Sequence, residues 1–357
     1  MRANYDTSYR DAMKLLRHPG DRIAYGGLVL VLLALPWLLP EYFVQQVTYL
    51  VIMSVASLGL MVLTGFTGQV SLGHAAFLAI GAYAHALMLA HGVPFIVSLP
   101  LAGVAAGIAG LLIGVPAIRV TGLYLAMVTL AFGTVISQVI GRWKAVTNGY
   151  TGISVPDPSL FGVSLAESHR FYLLCLAVLA IVLLALINLG RSATGRAFVA
   201  LRQSEAAAAG LGVWVSGYKV LAFVVSATVT GIAGGLLAHQ LQFITPDGFT
   251  MLQSVELLLM VVIGGHSLRG AILGAVLIGW LPTFISQVKP LLPDRVSHQF
   301  GIEIFVYGVV LAAFVLFEPL GIDGRWQKIK ACLDAFPLYR RETRRRAKAY
   351  MVSERYR

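Results

Sequence analysis

The chain has 357 residues, of which 58% are hydrophobic and only 12% charged, with a mean hydropathy of +0.80. A soluble domain of this length carries about a quarter of its residues as Asp, Glu, Lys and Arg, so a soluble globular fold is excluded. The formal net charge of +11 would suit a nucleic-acid partner, but the Lys and Arg residues gather at the chain ends and in one central loop, the pattern of a membrane boundary.

In chain order, residues 1–22 read as a basic cytoplasmic leader with a short helix around Ala12 to Leu16. The leader holds Asp6, Asp11 and Asp21, and no A-x-A site follows the first apolar run, so that run reads as a retained span and not a signal peptide. Ten apolar windows follow: Ala24–Pro40, Tyr42–Leu63, Ala75–Ala90, Phe95–Ile118, Gly122–Gly141, Phe171–Gly190, Val220–Ala238, Met251–Gly265, Ala271–Val288 and Ile302–Phe317. Eight carry no Asp, Glu, Lys or Arg; the other two hold only Glu256 and Glu303. Most approach the ~20 residues a helix needs to cross ~30 Å of hydrocarbon. The runs are continuous and lack a two-residue alternation, so they read as helices and not as barrel strands.

The expected fold is therefore an all-α polytopic membrane protein of about ten transmembrane helices, with a membrane domain over residues 23–320. Residues 142–169, with the turn signals Asn148-Gly149 and Pro156-Asp157-Pro158, read as an extracytoplasmic loop. Residues 190–216 read as a basic cytoplasmic loop, and residues 321–357 as a basic cytoplasmic tail. The distribution of Lys and Arg places both termini in the cytoplasm. Cys175 lies mid-span and Cys332 in the tail, so neither a disulfide nor a metal or redox cluster is expected, and no cofactor.

Glycine is patterned as well as abundant. Gly103, Gly107, Gly110 and Gly114 fall at three- and four-residue steps on one helix, and Gly231, Gly234 and Gly235 cluster on another; such spacing lets helix backbones approach closely. Gly68-Gln69-Val70-Ser71-Leu72-Gly73 and Gly264-Gly265-His266-Ser267-Leu268-Arg269-Gly270 are similar polar interruptions in the two halves, an arrangement that marks substrate routes in some transporters.

Two segments carry candidate chemistry. In Leu63-Thr64-Gly65-Phe66-Thr67-Gly68-Gln69-Val70-Ser71-Leu72-Gly73-His74, the glycines and polar side chains rule out an ordinary lipid-facing helix. The segment reads either as a broken backbone lining a path or as a cytoplasmic connector, with Thr64, Thr67, Gln69, Ser71 and His74 as candidate path residues. Glu256 joins them, either as an intramembrane acid facing the bundle interior or as a residue near the interface. In the cytoplasmic loop, Ala197 to Ala209 is made of strong helix formers, with Phe198, Leu201 and Ala208 on one face and Gly210 as a stop. A short amphipathic helix of this kind lies on a membrane or docks into a partner.

These stretches resemble a known family, the membrane permease subunits of ABC importers for branched-chain amino acids, in their LivM-like branch. The matching segments are Leu63 to Ala84, Val115 to Thr134, Asn148-Gly149-Tyr150-Thr151-Gly152-Ile153, Gly195 to Gly212, Val261 to Gly274, and Phe317-Glu318-Pro319-Leu320-Gly321-Ile322, in the family's order. The resemblance implies a helical fold akin to that of vitamin B12 and siderophore importers. It implies that Gly195 to Gly212 is the loop that couples to an ATPase, so that Arg196, Phe198, Leu201, Arg202, Glu205 and Gly210 are candidate coupling residues. The implied partners are a second, related permease subunit, two ABC ATPase subunits, a periplasmic solute-binding protein, a small-molecule solute and membrane lipid, with no nucleic acid. The chain has no G-x-x-x-x-G-K-[ST] phosphate loop, which agrees with ATP hydrolysis on separate subunits and with a chain that is not itself an enzyme.

The expected function is thus the membrane path of an ATP-driven importer of branched-chain or related hydrophobic amino acids in a bacterial inner membrane. Urea, short amides or aromatic carboxylates are alternative solutes for the same role. A different class of reading is a secondary carrier in which Glu256 and His74 exchange protons with solute, but a proton relay needs more buried ionisable groups than these. The tail, with Arg340, Arg341, Arg344, Arg345, Arg346 and Lys348, departs from the shortest members of the family and reads as a solvated helix or a segment drawn to anionic lipid.

Overall fold

The architecture comes from a computed structural model, which describes residues 19–160, 163–164, 167–288 and 321–335 and a few single positions between 305 and 316. The leader to residue 18, the tail beyond residue 335 and nearly all of the window Ile302–Phe317, with Glu303, lie outside the described residues. Helices stand at each of the other apolar windows: α1 (Pro19–Leu38), α2 (Glu41–Met61), α3 (His74–Ala90), α4 (Phe95–Ala117), α5 (Leu123–Arg142) and α6 (Ser168–Arg191). The loop helices α7 (Ala193–Gln203) and α8 (Glu205–Gly210) follow, then α9 (Val215–Leu241), α10 (Met251–Gly264), α11 (Leu268–Val288) and α12 (Gly321–Ala335). Among the described residues, seven helical stretches are long and apolar enough to cross a membrane, while Tyr25–Leu38 and His74–Ala90 are apolar but shorter.

α2 and α9 form the centre of the bundle. α9 packs against α2, α3 and α4, and α2 also packs against α6, α10 and α11. Every residue from Leu50 to Leu63 is buried. Two hydroxyls of this core helix are satisfied within it, Thr48 Oγ1 donating to the Val44 carbonyl and Ser54 Oγ to that of Leu50, each at 2.7 Å. Such bonds let a polar side chain sit inside hydrocarbon without an orphaned hydrogen.

The two glycine-rich faces meet each other. A Cβ on Gly110 of α4 would stand 2.6 Å from the Ala227 Cβ and 2.8 Å from the Phe223 carbonyl on α9, and one on Gly231 of α9 would overlap Ala106 of α4. Small residues here bring two helix axes together where no hydrophobic drive exists between lipid-soluble surfaces. At the edge, α1 touches the bundle mainly through α6 and α2. Pro36 has no N–H to give the Leu32 carbonyl, and the Tyr172 hydroxyl of α6 donates to that oxygen instead, at 2.9 Å.

Successive helices alternate direction, so the connections sort onto two ends. One end joins Glu41 to Ser168 at 2.8 Å and Gln46 to Thr283 at 2.8 Å, and pairs β1 (Ile153–Ser154) antiparallel with β2 (Phe243–Ile244). Asn148, at φ 59°, and Gly149, at φ 64°, make the turn read from sequence. The opposite end holds the break before α3, the loop of α7 and α8, the α10–α11 connection and the start of α12. Cations at this second end include Arg119, Arg191, Arg196, Arg202, Lys219, Arg269 and Arg325, and those at the first include Arg142, Lys144 and Arg170.

Candidate functional site

The segment after α2 is built as a break. The helix widens into a π turn over Val62–Phe66 and stops. Gln69 N donates back to the Leu63 carbonyl at 3.1 Å, and Thr67 Oγ1 donates to the same carbonyl at 2.6 Å. Gly68 takes φ 73°, and a side chain there would also press on Arg202 Cγ at 3.2 Å, so strain and space both select glycine. Gly73 lies so close to α5 that a Cβ would overlap the Thr129 carbonyl, and its neighbour Leu72 N donates to Thr129 Oγ1 at 3.0 Å.

His74 restarts the chain as α3 and is completely buried. Its Nε2 lies 2.8 Å from Ser226 Oγ, and Ser226 Oγ donates its one hydrogen to the Gly59 carbonyl at 2.6 Å. The Ser226 oxygen therefore accepts from Nε2–H, which leaves Nδ1 to accept from Ser71 Oγ at 2.9 Å. This chain of bonds ties α2, the break, α3 and α9 into one unit. Ser254 of α10 joins it by accepting from Ala75 N at 2.9 Å.

The loop between α6 and α9 is not the single helix that its composition suggests. It breaks at Ser204, whose extended backbone (φ −166°, ψ 119°) caps α8 by accepting from Ala207 N at 3.2 Å; Ser192 caps α7 in the same way from Gly195 N. A serine oxygen is worth more at an N-cap than in a helix interior, so local capping overrides the alanine-rich propensity. α8 ends at Gly210 as expected, but the residue with the left-handed backbone is Gly212, at φ 82°.

Phe198, Leu201 and Ala208 do share a face, and it is turned into the bundle: Phe198 is fully buried and meets the Tyr218 ring edge-on at 6.2 Å. The outward surface is made of Arg196, whose guanidinium donates to the Arg191 carbonyl at 3.1 Å, with Val199, Gly210, Leu211 and Trp214. Leu211 is 82% exposed and Trp214 74%.

The loop and the break meet at two polar contacts. Arg202 Nη1 donates to the Gly65 carbonyl at 2.9 Å, a helical carbonyl freed by the break. Glu205 Oε1 lies 2.7 Å from Lys219 Nζ; the Lys219 side chain is only 3% exposed against 43% for Glu205. Between them a cavity of about 220 Å³ is lined by Thr67, Gln69, Thr121, Arg202, Glu205 and Lys219, among others. Two of the path candidates, Thr67 and Gln69, and three of the coupling candidates, Leu201, Arg202 and Glu205, thus line one cavity. Just outside it, burial and the neighbouring Arg202 guanidinium hold the His266 imidazole below its ordinary value of 6.5.

The remaining candidates are placed as follows. Thr64 is half-buried, and its hydroxyl has no partner among the described residues; nor does the buried Gln69 Oε1. Glu256 is half-buried in the second turn of α10, near Tyr49 of α2, and stands apart from the cavity. Ser226 and Lys219 carry no functional signal in the sequence: Ser226 is a hydroxyl residue inside an ordinary apolar run, and Lys219 reads only as a basic loop boundary.

Comparison with known proteins places this arrangement. A family model described as "Branched-chain amino acid transport system / permease component" matches residues 42–316. The high-affinity branched-chain amino acid transport system permease protein LivM of Salmonella typhimurium is 35% identical over 278 residues, covering 71% of this chain and 65% of the relative. LivM of Escherichia coli K12 is 34% identical over 277 residues with the same coverage. The autoinducer 2 import system permease protein LsrC of Escherichia coli O9:H4 is 31% identical over 242 residues, 62% of this chain and 64% of LsrC. The match therefore spans about two thirds of the length of these relatives. No solved structure matches. Nine apolar helices among the described residues, the glycine-built break and the family match over most of those helices together make this chain a polytopic membrane protein that belongs to the branched-chain amino acid transport permease family.

Proposed function

We propose that the chain is the permease subunit of an ATP-driven importer in a bacterial inner membrane, forming the translocation path for branched-chain or related hydrophobic amino acids. The names of the LivM relatives support that solute class. In this reading the chain has ten spans in a fold resembling that of the vitamin B12 importers, and residues 23–320 form its membrane domain. The basic end, both termini and residues 190–216 are cytoplasmic, residues 142–169 face outward, and residues 1–22 and 321–357 flank the membrane domain as leader and tail. A second permease subunit, two ABC ATPases and a periplasmic binding protein complete the assembly.

The observation that carries this reading is the double clamp between loop and break. Arg202 and Glu205 hold α7 and α8 against the Thr64–His74 segment and α9, so a push on the loop reaches the packed unit that contains His74 and Ser226. Phe198 and Leu201 anchor the loop from within. Arg196, Val199 and the Gly210–Leu211 corner present the surface to an ATPase. ATP-bound and ATP-free partners differ in how they hold that surface, and the break is the element that converts the difference into altered access. Thr67, Gln69 and Ser71, with Thr64, His74 and Glu256, shape or support the route; no bond in the solute is broken.

Co-purification tests the assignment. Leu211→Asp places a charge on the outer surface and is expected to abolish ATPase association while the chain inserts normally. Undiminished association of both Leu211→Asp and Arg196→Asp would remove the loop from the interface.

A further inference from the structure

α5 differs from its neighbours in what it shows to the outside. Met127, Ala131, Thr134, Gln138 and Arg142 recur at three- and four-residue steps, and all are exposed, so they form one stripe along the helix. On α4 the corresponding outer residues are Ile108, Leu111, Leu112 and Val115, and on α6 they are Ile181, Leu184 and Ala185, with the exposed Asn188 confined to the last turn. Those faces suit lipid. The α5 stripe carries a primary amide with four hydrogen-bonding sites and, one turn on, a cation, and hydrocarbon satisfies neither. Thr134 alone would be tolerated, because its hydroxyl donates to the Ala131 carbonyl at 2.8 Å.

Two hollows lie along this stripe and share Thr134 and Gln138. An open groove of about 520 Å³ runs from Arg142 and Trp143 to Thr134. A deeper one of about 190 Å³ continues past Ser137 to Ala75, Thr250 and Ser254. Eight residues separate Arg142 from Thr134, about 12 Å along the helix, so the hollows reach well into the span. Their inner end is the Ser254 to Ala75 hydrogen bond, which belongs to the break before α3.

We propose that the α5 stripe is a wet wall of the solute path, leading from the Arg142 end to the break. The solute it passes is a small molecule with a carboxylate and an apolar body: Arg142 at the mouth attracts the anion, and inside, neutral hydroxyls and an amide alternate with Leu130, Leu72 and Met251. This rests on the importer reading.

Cysteine accessibility in intact cells that make the full chain tests it. In a Cys332→Ser background, with Cys175 fully buried, single cysteines are placed at Ala131, Thr134 and Gln138, and at Ile181 and Leu184 on α6 as references. A charged, membrane-impermeant maleimide is expected to label the α5 positions at least ~10-fold faster than the α6 positions, because a reactive thiolate forms only in water. A bulky adduct at position 138 is expected to block solute uptake. Equally slow labelling at all five positions, in variants that reach the membrane in normal amount and retain uptake, overturns the inference and leaves a dry contact with lipid or a second subunit. A wet stripe in cells with no ATP-dependent uptake through this chain would instead remove the importer reading.

Discussion

Replacing Glu205 with alanine strands Lys219, whose side chain is 3% exposed and whose ammonium has Glu205 Oε1 at 2.7 Å. Removing one partner of a fully buried ion pair costs about 3–5 kcal/mol, because the other charge stays buried without compensation. Glu205 is 43% exposed, so water reaches one side of this pair and the expected cost falls to about 2–3 kcal/mol. Lys219→Met is the informative control: it removes the buried charge, keeps the volume and leaves Glu205 hydrated, so its cost should stay below about 1.5 kcal/mol. The double variant should resemble Lys219→Met alone. Trypsin cleavage at Arg196 and Arg202 in the folded, detergent-solubilised chain reports opening of the loop. If opening equilibrates faster than cleavage, Glu205→Ala should accelerate cutting roughly 30- to 150-fold. Lys219→Met as damaging as Glu205→Ala would refute the reasoning, since the asymmetry follows only from which charge is buried.

Gly73→Ala sets a Cβ against the backbone carbonyl of Thr129, which has no soft direction to yield. A loss of at least ~1–3 kcal/mol in thermal unfolding is expected, whereas Gly27→Ala, with nothing within 4 Å, should be neutral or slightly stabilising. Tyr172→Phe removes the donor that serves the Leu32 carbonyl opposite Pro36 and should weaken docking of α1 by ~0.6–1.7 kcal/mol, read as faster proteolysis around Leu38 and Pro40. His266 favours its neutral form in the folded state, so the unfolded state takes up its proton first. The stability it lends is complete above its ordinary value of 6.5 and is lost as pH falls through that value. Loop cleavage should therefore rise from about pH 7.5 to about pH 5.5, and His266→Gln should flatten the profile.

The helices were legible because hydrocarbon imposes a simple rule: charge-free runs of the right length must be helical, and nine of the ten windows are helices, the tenth lying outside the described residues. That Gly103, Gly107 and Gly110 form a close-packing face is legible from their spacing, since only small residues permit it, but that α9 is the partner is not. Gly68 and Gly265 were read as parallel interruptions, and both take left-handed backbones, at φ 73° and 98°, between antiparallel helices at the same end. The inward turn of Phe198 and Leu201 was not legible, because amphipathicity gives a face but not its partner. Nor was the His74–Ser226 bond, which joins residues 152 positions apart through a serine inside an ordinary apolar run. The break at Ser204 was legible in principle, since Ser-Glu at the head of an alanine run is an N-cap signal that outweighs alanine's propensity.

Uptake by intact cells is the most direct test. Cells lacking this chain, supplied with labelled leucine, isoleucine or valine at limiting concentration, should lose ATP-dependent accumulation; the intact chain should restore it, and a chain carrying Arg202→Ala and Glu205→Ala together should restore far less at equal membrane abundance. Undiminished accumulation without the chain, or uptake through the chain alone driven by a proton gradient in ATPase-deficient cells, would contradict its role as an importer permease.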